Sequence, residues 1–174
     1  MSCASNSPDA DQPAGGRHSG HPSKRVTNMS EPTDFHEHVI RVRYAECDSM
    51  GYLHHGKYFE YLEEARTEAL RQRGFAYRDL EADGVFLVVA KLSCRYYHPI
   101  RYDDLVTVRT TIERFTRTRI DHAYQLFVNQ TLTTEAATTL ACVGRDGKLR
   151  VMPDRIWSLN QTAKPRIQPP GPNV

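Results

Sequence analysis

Only one stretch of this chain has the periodicity of a long helix. Between Tyr58 and Arg73, the residues Tyr58, Phe59, Leu62, Ala65, Ala69 and Leu70 recur at spacings of three and four. Glu60, Glu63, Glu64, Glu68 and Arg71 fall on the opposite face. Acids come early and Arg71 and Arg73 late, which suits the helix dipole, and Gly74 stands where a helix-stopping glycine belongs. An amphipathic helix of this length must bury its apolar stripe. Everything else in the chain with regular patterning reads as strand, so the stripe has a sheet to lie on.

The strands follow from alternation. Phe35 to Tyr44 carries Val39, Ile40, Val42 and Tyr44 among His38, Arg41 and Arg43. Ala45 to Gly51 breaks the pattern with turn residues. After the helix comes a connection with one helical turn at Tyr77 to Ala82. Val85 to Ala90 (VFLVVA) is an unbroken apolar run, the mark of a strand buried on both faces, and it extends to Tyr97 before His98-Pro99. Leu105 to Phe115 and Arg119 to Val128 alternate, Asn129-Gln130 turn, and Leu132 to Gly144 forms another strand. Arg145-Asp146-Gly147 is a turn, Lys148 to Met152 a short ending, and Asp154 to Leu159 a short helix. One strand, a long helix and about four further strands make an α+β pair of layers with an antiparallel sheet of about five strands.

Residues 1–33 are rich in Ser, Pro, Gly, Asn and Asp and read as a disordered leader, with Met29 a second possible start. Residues 34–160 form the domain, and 161–174 a Pro-rich tail. The formal charge is +2 and basic residues are interspersed with acids, so no nucleic-acid footprint is present. No apolar run reaches the roughly 18–20 residues of a membrane helix. Cys3, Cys47, Cys94 and Cys142 form no CxxC pair, and reduced thiols in a cytoplasmic protein are expected.

The chemistry-bearing residues precede the helix. Asp48 sits in the loop, then come Gly51, the adjacent pair His54-His55, Lys57 and Tyr58. A helix start offers unpaired N–H groups and positive potential. A carbonyl placed there is polarised as its oxygen gains charge, and a nearby carboxylate can attack it or activate water. Asp48 has a second reading as a turn residue. A zinc reading of Asp48, His54 and His55 is weak, because adjacent histidine side chains point apart and no third ligand has a telling spacing.

Tyr44, Asp48, Gly51, His55 and Tyr58, followed by EEARTEALR, resemble the signature of the 4-hydroxybenzoyl-CoA thioesterase family of hotdog-fold proteins. The resemblance is greater to its YbgC-like acyl-CoA thioesterase branch, and Cys94 to Asp104 (CRYYHPIRYDD) is a second similar stretch. It implies a hotdog fold in which the sheet wraps the long helix. It implies Asp48 as catalytic carboxylate, with His55 and Tyr44 as functional partners. Gly51, His54, Tyr58 and Lys57 become candidate substrate contacts. A sister branch carries its acid on the helix, nine residues after the histidine, which falls on Glu64. Met50-Gly51-Tyr52-Leu53 and Lys57 depart from the branch pattern and leave the acyl class open.

The implied activity is hydrolysis of an acyl-CoA thioester, without a metal and without a resident cofactor, since coenzyme A belongs to the substrate. An acyl carrier protein thioester is the nearest other substrate, and an acyl-CoA-binding module without turnover is the non-enzymatic alternative. Lys91, Arg95, Arg101, Arg117 and Arg119 are candidates for the coenzyme A phosphates. Relatives of this fold pair edge to edge, which implies a homodimer or homotetramer. Because the ends lack core-forming residues, removal of residues 1–32 and 165–174 should leave melting temperature and turnover nearly unchanged. Thermal denaturation and a thioesterase assay on the trimmed chain check this, and a large loss of either would show that the ends dock.

Overall fold

A computed structural model of the chain describes residues 35–158. The leader (1–33) and the tail (161–174) expected from composition lie outside the described residues. The elements are β1 (Phe35–Arg41), α1 (Lys57–Gln72), α2 (Tyr77–Ala82), β2 (Phe86–Tyr96), β3 (Leu105–Phe115), β4 (Arg119–Val128), β5 (Thr131–Val143) and α3 (Asp154–Trp157). The five strands form one antiparallel sheet in the order β1-β3-β4-β5-β2, with α1 on one face. This is the hotdog arrangement.

Each boundary has a local cause. β1 stops at Arg41, three residues before the alternation does. Val42 is fully buried and bonds out of strand geometry to Asp104 and Asp103, and Tyr44–Glu46 then winds into a 3₁₀ turn. α1 ends in a Schellman motif: Gly74 has φ +85°, its N–H reaches the Arg71 carbonyl and that of Phe75 reaches Leu70. Asn129 and Gln130 both have positive φ (48° and 66°), as a tight turn between twisted strands requires.

Two expectations need correction. The buried stripe of α1 is Tyr58, Tyr61, Leu62 and Ala65, whereas Phe59 is 38% exposed. An aromatic ring marks an apolar face only if its angle on the helix agrees; Phe59 falls off the stripe, and Tyr61 lies inside because its hydroxyl has a buried partner. Second, β2 is not enclosed on both faces but is an edge strand, with Val88 43% and Val89 46% exposed. A continuous apolar run fits a central strand or an edge whose outer side meets something else, and periodicity alone cannot separate the two.

The helix-facing layer holds two apolar clusters. One surrounds the N-terminal half of α1 and includes Val42, Leu53, Leu62, Ile100, Val108 and Leu126. The other gathers Leu80, Val85, Ile120, Leu140, Met152 and Ile156. Fully burying an aliphatic side chain contributes about 1.5–3 kcal/mol, so a Leu62→Ala variant, which deletes a fully buried side chain at the centre of the first cluster, should lose about 2–5 kcal/mol. Urea denaturation at neutral pH measures it.

Candidate active site

The loop from Tyr44 to Gly56 is built on Glu46. This carboxylate is 6% exposed, and it accepts hydrogen bonds from the Tyr61 hydroxyl (2.6 Å), the Arg43 N–H (2.8 Å) and the Arg43 guanidinium (3.3 Å). Its backbone carbonyl takes the His54 N–H at 2.9 Å. One residue therefore ties the end of β1, the two histidines and the first turns of α1 together. Burial pushes its carboxyl up, but the bonds from Tyr61 and the Arg43 backbone, with the Arg43 charge, outweigh this and hold it below the usual carboxylate range. The same bond, after burial, keeps the Tyr61 phenol protonated. The spacing of sequence motifs gave no hint of Glu46; only a buried tyrosine fifteen residues on explains it.

Asp48 heads a tight hairpin. Its N–H donates to the Tyr52 carbonyl (2.8 Å), and its own carbonyl receives the Gly51 N–H (3.0 Å). Its Oδ1 accepts from the N–H groups of Met50 (2.8 Å) and Tyr52 (3.1 Å). Gly51 closes the turn at φ +76°, with nothing within 4 Å of where a side chain would begin, so its glycine serves backbone conformation. The turn reading of Asp48 is thus present in full. It uses one oxygen only: Oδ2 has no hydrogen bond among the described residues and the side chain is exposed.

The hairpin is held to the connection between β2 and β3 by the Leu53 N–H on the Ile100 carbonyl (2.8 Å) and by pairing of Tyr52 with Arg101. Tyr58 lies beneath, 4% exposed, its ring edge-on to Tyr96 with centroids 4.8 Å apart. Burial above all, then the Cys94 thiol and more weakly the Asp48 charge, raise the Tyr58 phenol, which stays a proton donor.

The remaining candidates are arranged differently from the expectation. The rings of His54 and His55 do not point apart; their centroids are 4.1 Å apart with a 35° tilt. His54 Nδ1 accepts the Gly56 N–H at 3.2 Å, and the His54 carbonyl accepts that of Lys57 at 2.8 Å. The Phe59 N–H reaches Gly56 at 3.3 Å, so several N–H groups expected to be unpaired at the helix start are already taken. His55 is exposed beside this start. Lys57 is held by both oxygens of Glu60 (2.8 and 2.9 Å). Tyr44 is 80% exposed, its ring edge-on to Tyr102 at 5.5 Å. Glu64, the rival acid, accepts from His38 Nε2 at 2.9 Å, an α1–β1 tie away from the hairpin. Among the described residues no three His, Cys, Asp or Glu side chains are grouped to hold a metal, Cys47, Cys94 and Cys142 are free thiols, and no helix is long and apolar enough to cross a membrane.

With this geometry in view, the likenesses to known proteins are specific. The profile of the Thioesterase superfamily matches residues 50–135. Acyl-CoA thioester hydrolase YbgC of Escherichia coli O157:H7 is 34% identical over 105 residues, 60% of this chain and 78% of that protein. Among solved structures, the DHNA-CoA thioesterase of Staphylococcus aureus superposes with a TM-score of 0.68 at 31% identity, covering 76% of this chain and 97% of that one. A hypothetical protein of Thermus thermophilus gives 0.71 at 31% identity, covering 74% and 99%. The chain belongs to the thioesterase superfamily, and it is a thioester hydrolase.

Glu46→Gln should cost about 1–3 kcal/mol, because an amide nitrogen would face the Arg43 donor or leave it unpaired. The folded carboxyl is held below its unfolded value, so its contribution is complete above the unfolded carboxylate pKa of about 4.3 and disappears as pH falls below it. Denaturant titrations should therefore show the gap between wild type and Glu46→Gln at pH 7 closing toward pH 3.

Proposed function

We propose that the protein hydrolyses acyl-CoA thioesters and that the Asp48 carboxylate does the chemistry, as nucleophile or as general base for water. The observation that carries this is the half-committed carboxylate: Oδ1 is fixed by two backbone N–H groups, while Oδ2 has no hydrogen bond among the described residues and the side chain is exposed. A fixed, accessible carboxylate suits attack on a carbonyl whose oxygen becomes negative. The coenzyme A thiolate leaves without a strong general acid. Tyr58 is a donor to the developing oxyanion, and His55 stands close enough to the helix start to assist at the carbonyl or the sulfur.

Water must gain access for turnover, and the exposed loop allows it. Among the basic residues expected to meet coenzyme A, Arg117 and Arg119 are ion-paired with Asp154 (2.6 Å) and Asp121 (2.9 Å). Arg101 lies over the Tyr52 ring at 4.6 Å, against the Asp48 hairpin, and is the preferred phosphate contact.

The functional unit in this reading is a homodimer joined along β2, with a tetramer as a pair of such dimers. In support, β2 leaves Val88, Val89 and Tyr96 between 43% and 46% exposed on an eleven-residue edge, and Tyr97 just beyond it is 38% exposed. An apolar edge of this length invites pairing with a second copy. Sedimentation should give a dimer or larger species, and a stable, fully active monomer would count against it.

Asp48→Asn should lower kcat on the order of a hundredfold or more, with folding intact. Glu64→Gln should be mild and His55→Ala intermediate. Thiol release from a panel of acyl-CoA esters measures all three. Near wild-type activity for Asp48→Asn with loss in Glu64→Gln would move the catalytic acid to the helix.

A further inference from the structure

Residues 94–104, the second similar stretch, end in a tight turn between β2 and β3. The turn itself, 101–104, is closed twice. The Asp104 N–H donates to the Arg101 carbonyl at 3.2 Å, and the Arg101 N–H donates to Asp104 Oδ2 at 2.7 Å. Between them Asp103 has φ 69°, where glycine or asparagine is usual at this place in a turn. Among the described residues, Asn129 and Gln130 of the β4–β5 turn are the other non-glycine residues with positive φ. Such backbone persists only where its surroundings over-determine it, and it gathers at functional sites.

The surroundings act on this turn from two sides. From the end of β1, the Val42 N–H donates to the Asp104 carbonyl at 3.0 Å, and the Val42 carbonyl accepts the Asp103 N–H at 3.1 Å. The Arg41 guanidinium adds bonds to the Asp103 carbonyl (3.2 Å) and to Asp103 Oδ1 (2.7 Å). Val42 is fully buried, so these bonds moor the turn to the core. On the other side lies the Asp48 hairpin. The Leu53 N–H is held by the carbonyl of the fully buried Ile100 at 2.8 Å. Tyr52 pairs with Arg101, whose guanidinium lies over the Tyr52 ring at 4.6 Å.

Tyr52 leads directly to Asp48. Its N–H donates to Asp48 Oδ1 at 3.1 Å, and its carbonyl accepts the Asp48 N–H at 2.8 Å. The Asp48 side chain is exposed and gains little from packing, so its place depends on the two arms of the loop. Glu46 holds the arm before it through Tyr61 and Arg43. The 101–104 turn holds the arm after it. A continuous set of hydrogen bonds and pairings therefore runs from Val42 through Asp104 and Arg101 to Tyr52 and Asp48. Within it the Asp104 carboxylate is what fixes the Arg101 N–H.

We propose that Asp104 is a positioning residue for thioester hydrolysis. Its carboxylate sets Arg101, Arg101 sets Tyr52, and Tyr52 sets the Asp48 oxygen. Asp104 touches no reacting atom. The inference rests on the reading of Asp48 given under the proposed function. Misplacing a reacting group by about 1 Å can cost about a hundredfold in rate, and loosening one of two arms should cost part of that.

Asp104→Ala removes the acceptor for the Arg101 N–H, and kcat should fall about tenfold while KM stays within about twofold. Asp104→Asn keeps an oxygen at that place and should restore kcat to within about threefold of wild type. Asp103→Gly accepts the positive φ but admits other conformations. It should leave the melting temperature nearly unchanged and still lower kcat by about threefold or more. Amide NMR signals of Met50 and Tyr52, the donors to Asp48 Oδ1, should shift in Asp104→Ala and return in Asp104→Asn, with the α1 signals in place. Should Asp104→Ala fail to fold, Asp103→Gly carries the test. Unchanged kcat in Asp104→Ala or in Asp103→Gly overturns the inference. So does a rise in KM alone, which would make the turn a binding element, and so do shifts spread through sheet and helix, which would mean general loosening. Equal losses in Asp104→Ala and Asp104→Asn would assign the effect to charge and overturn it as well. A fully active Asp48→Asn variant would sink the reading of Asp48 alone; the Met50 and Tyr52 signals then decide whether Asp104 holds the hairpin.

Discussion

The buried hydrogen bond between the Tyr61 hydroxyl and the Glu46 carboxylate fixes the relation of the Asp48-bearing loop to the helix. A carboxylate at 6% exposure is tolerable only because donors surround it. Those donors come from the end of β1 and from the second turn of α1, so the charge can be satisfied only when strand, loop and helix are in their final places. The His54 N–H on the Glu46 carbonyl extends the same constraint to the paired histidines. Asp48 is positioned within this frame by its own backbone bonds and by the Leu53–Ile100 contact with the connection between β2 and β3. Two carboxylates two residues apart thus have opposite environments. Glu46 is saturated and buried, a structural anchor; Asp48 is exposed with one oxygen uncommitted.

The layer between helix and sheet shows a second division of labour. At the N-terminal half of α1 it is closely filled by Tyr58, Tyr61, Leu62 and Ala65, which supports the loop. At the C-terminal half it opens into a cavity, floored by His36, Thr110 and His122. Unpaired polar atoms reduce stability where they lie, so the rigid end and the open end contribute unequally. A fold that confined its loss to the end away from Asp48 would keep the Asp48 carboxylate well placed while leaving room for a ligand.

Much of the architecture was legible because it depends on local pattern. The limits of β3 and β4 read from alternation coincide with those observed, α1 is displaced by one residue at each end, and the turn at Asn129-Gln130 follows from its residue types. The readings that differ all depend on distant partners. Phe59, expected on the apolar stripe, is partly exposed, and Tyr61, which the sequence reading left unassigned, is buried with its hydroxyl on Glu46. β1 ends early because Val42 is drawn to Asp104. Lys57, free on paper, is bound by Glu60.

By itself the sequence determined an antiparallel sheet with one long helix, and a loop in which Asp48, Gly51 and the histidines stand close along the chain. Short-range periodicity and turn chemistry suffice for that, since each is set by residues a few positions apart. Tertiary structure alone decided which strand is an edge, which carboxylate is buried, and which polar atoms are left without partners. Alternation along β3 and β4 cannot reveal that Thr110 and His122 share a cavity floor with His36, because that depends on strand order and register. These are properties of residues more than seventy positions apart in the chain, brought together only when the sheet closes over the helix.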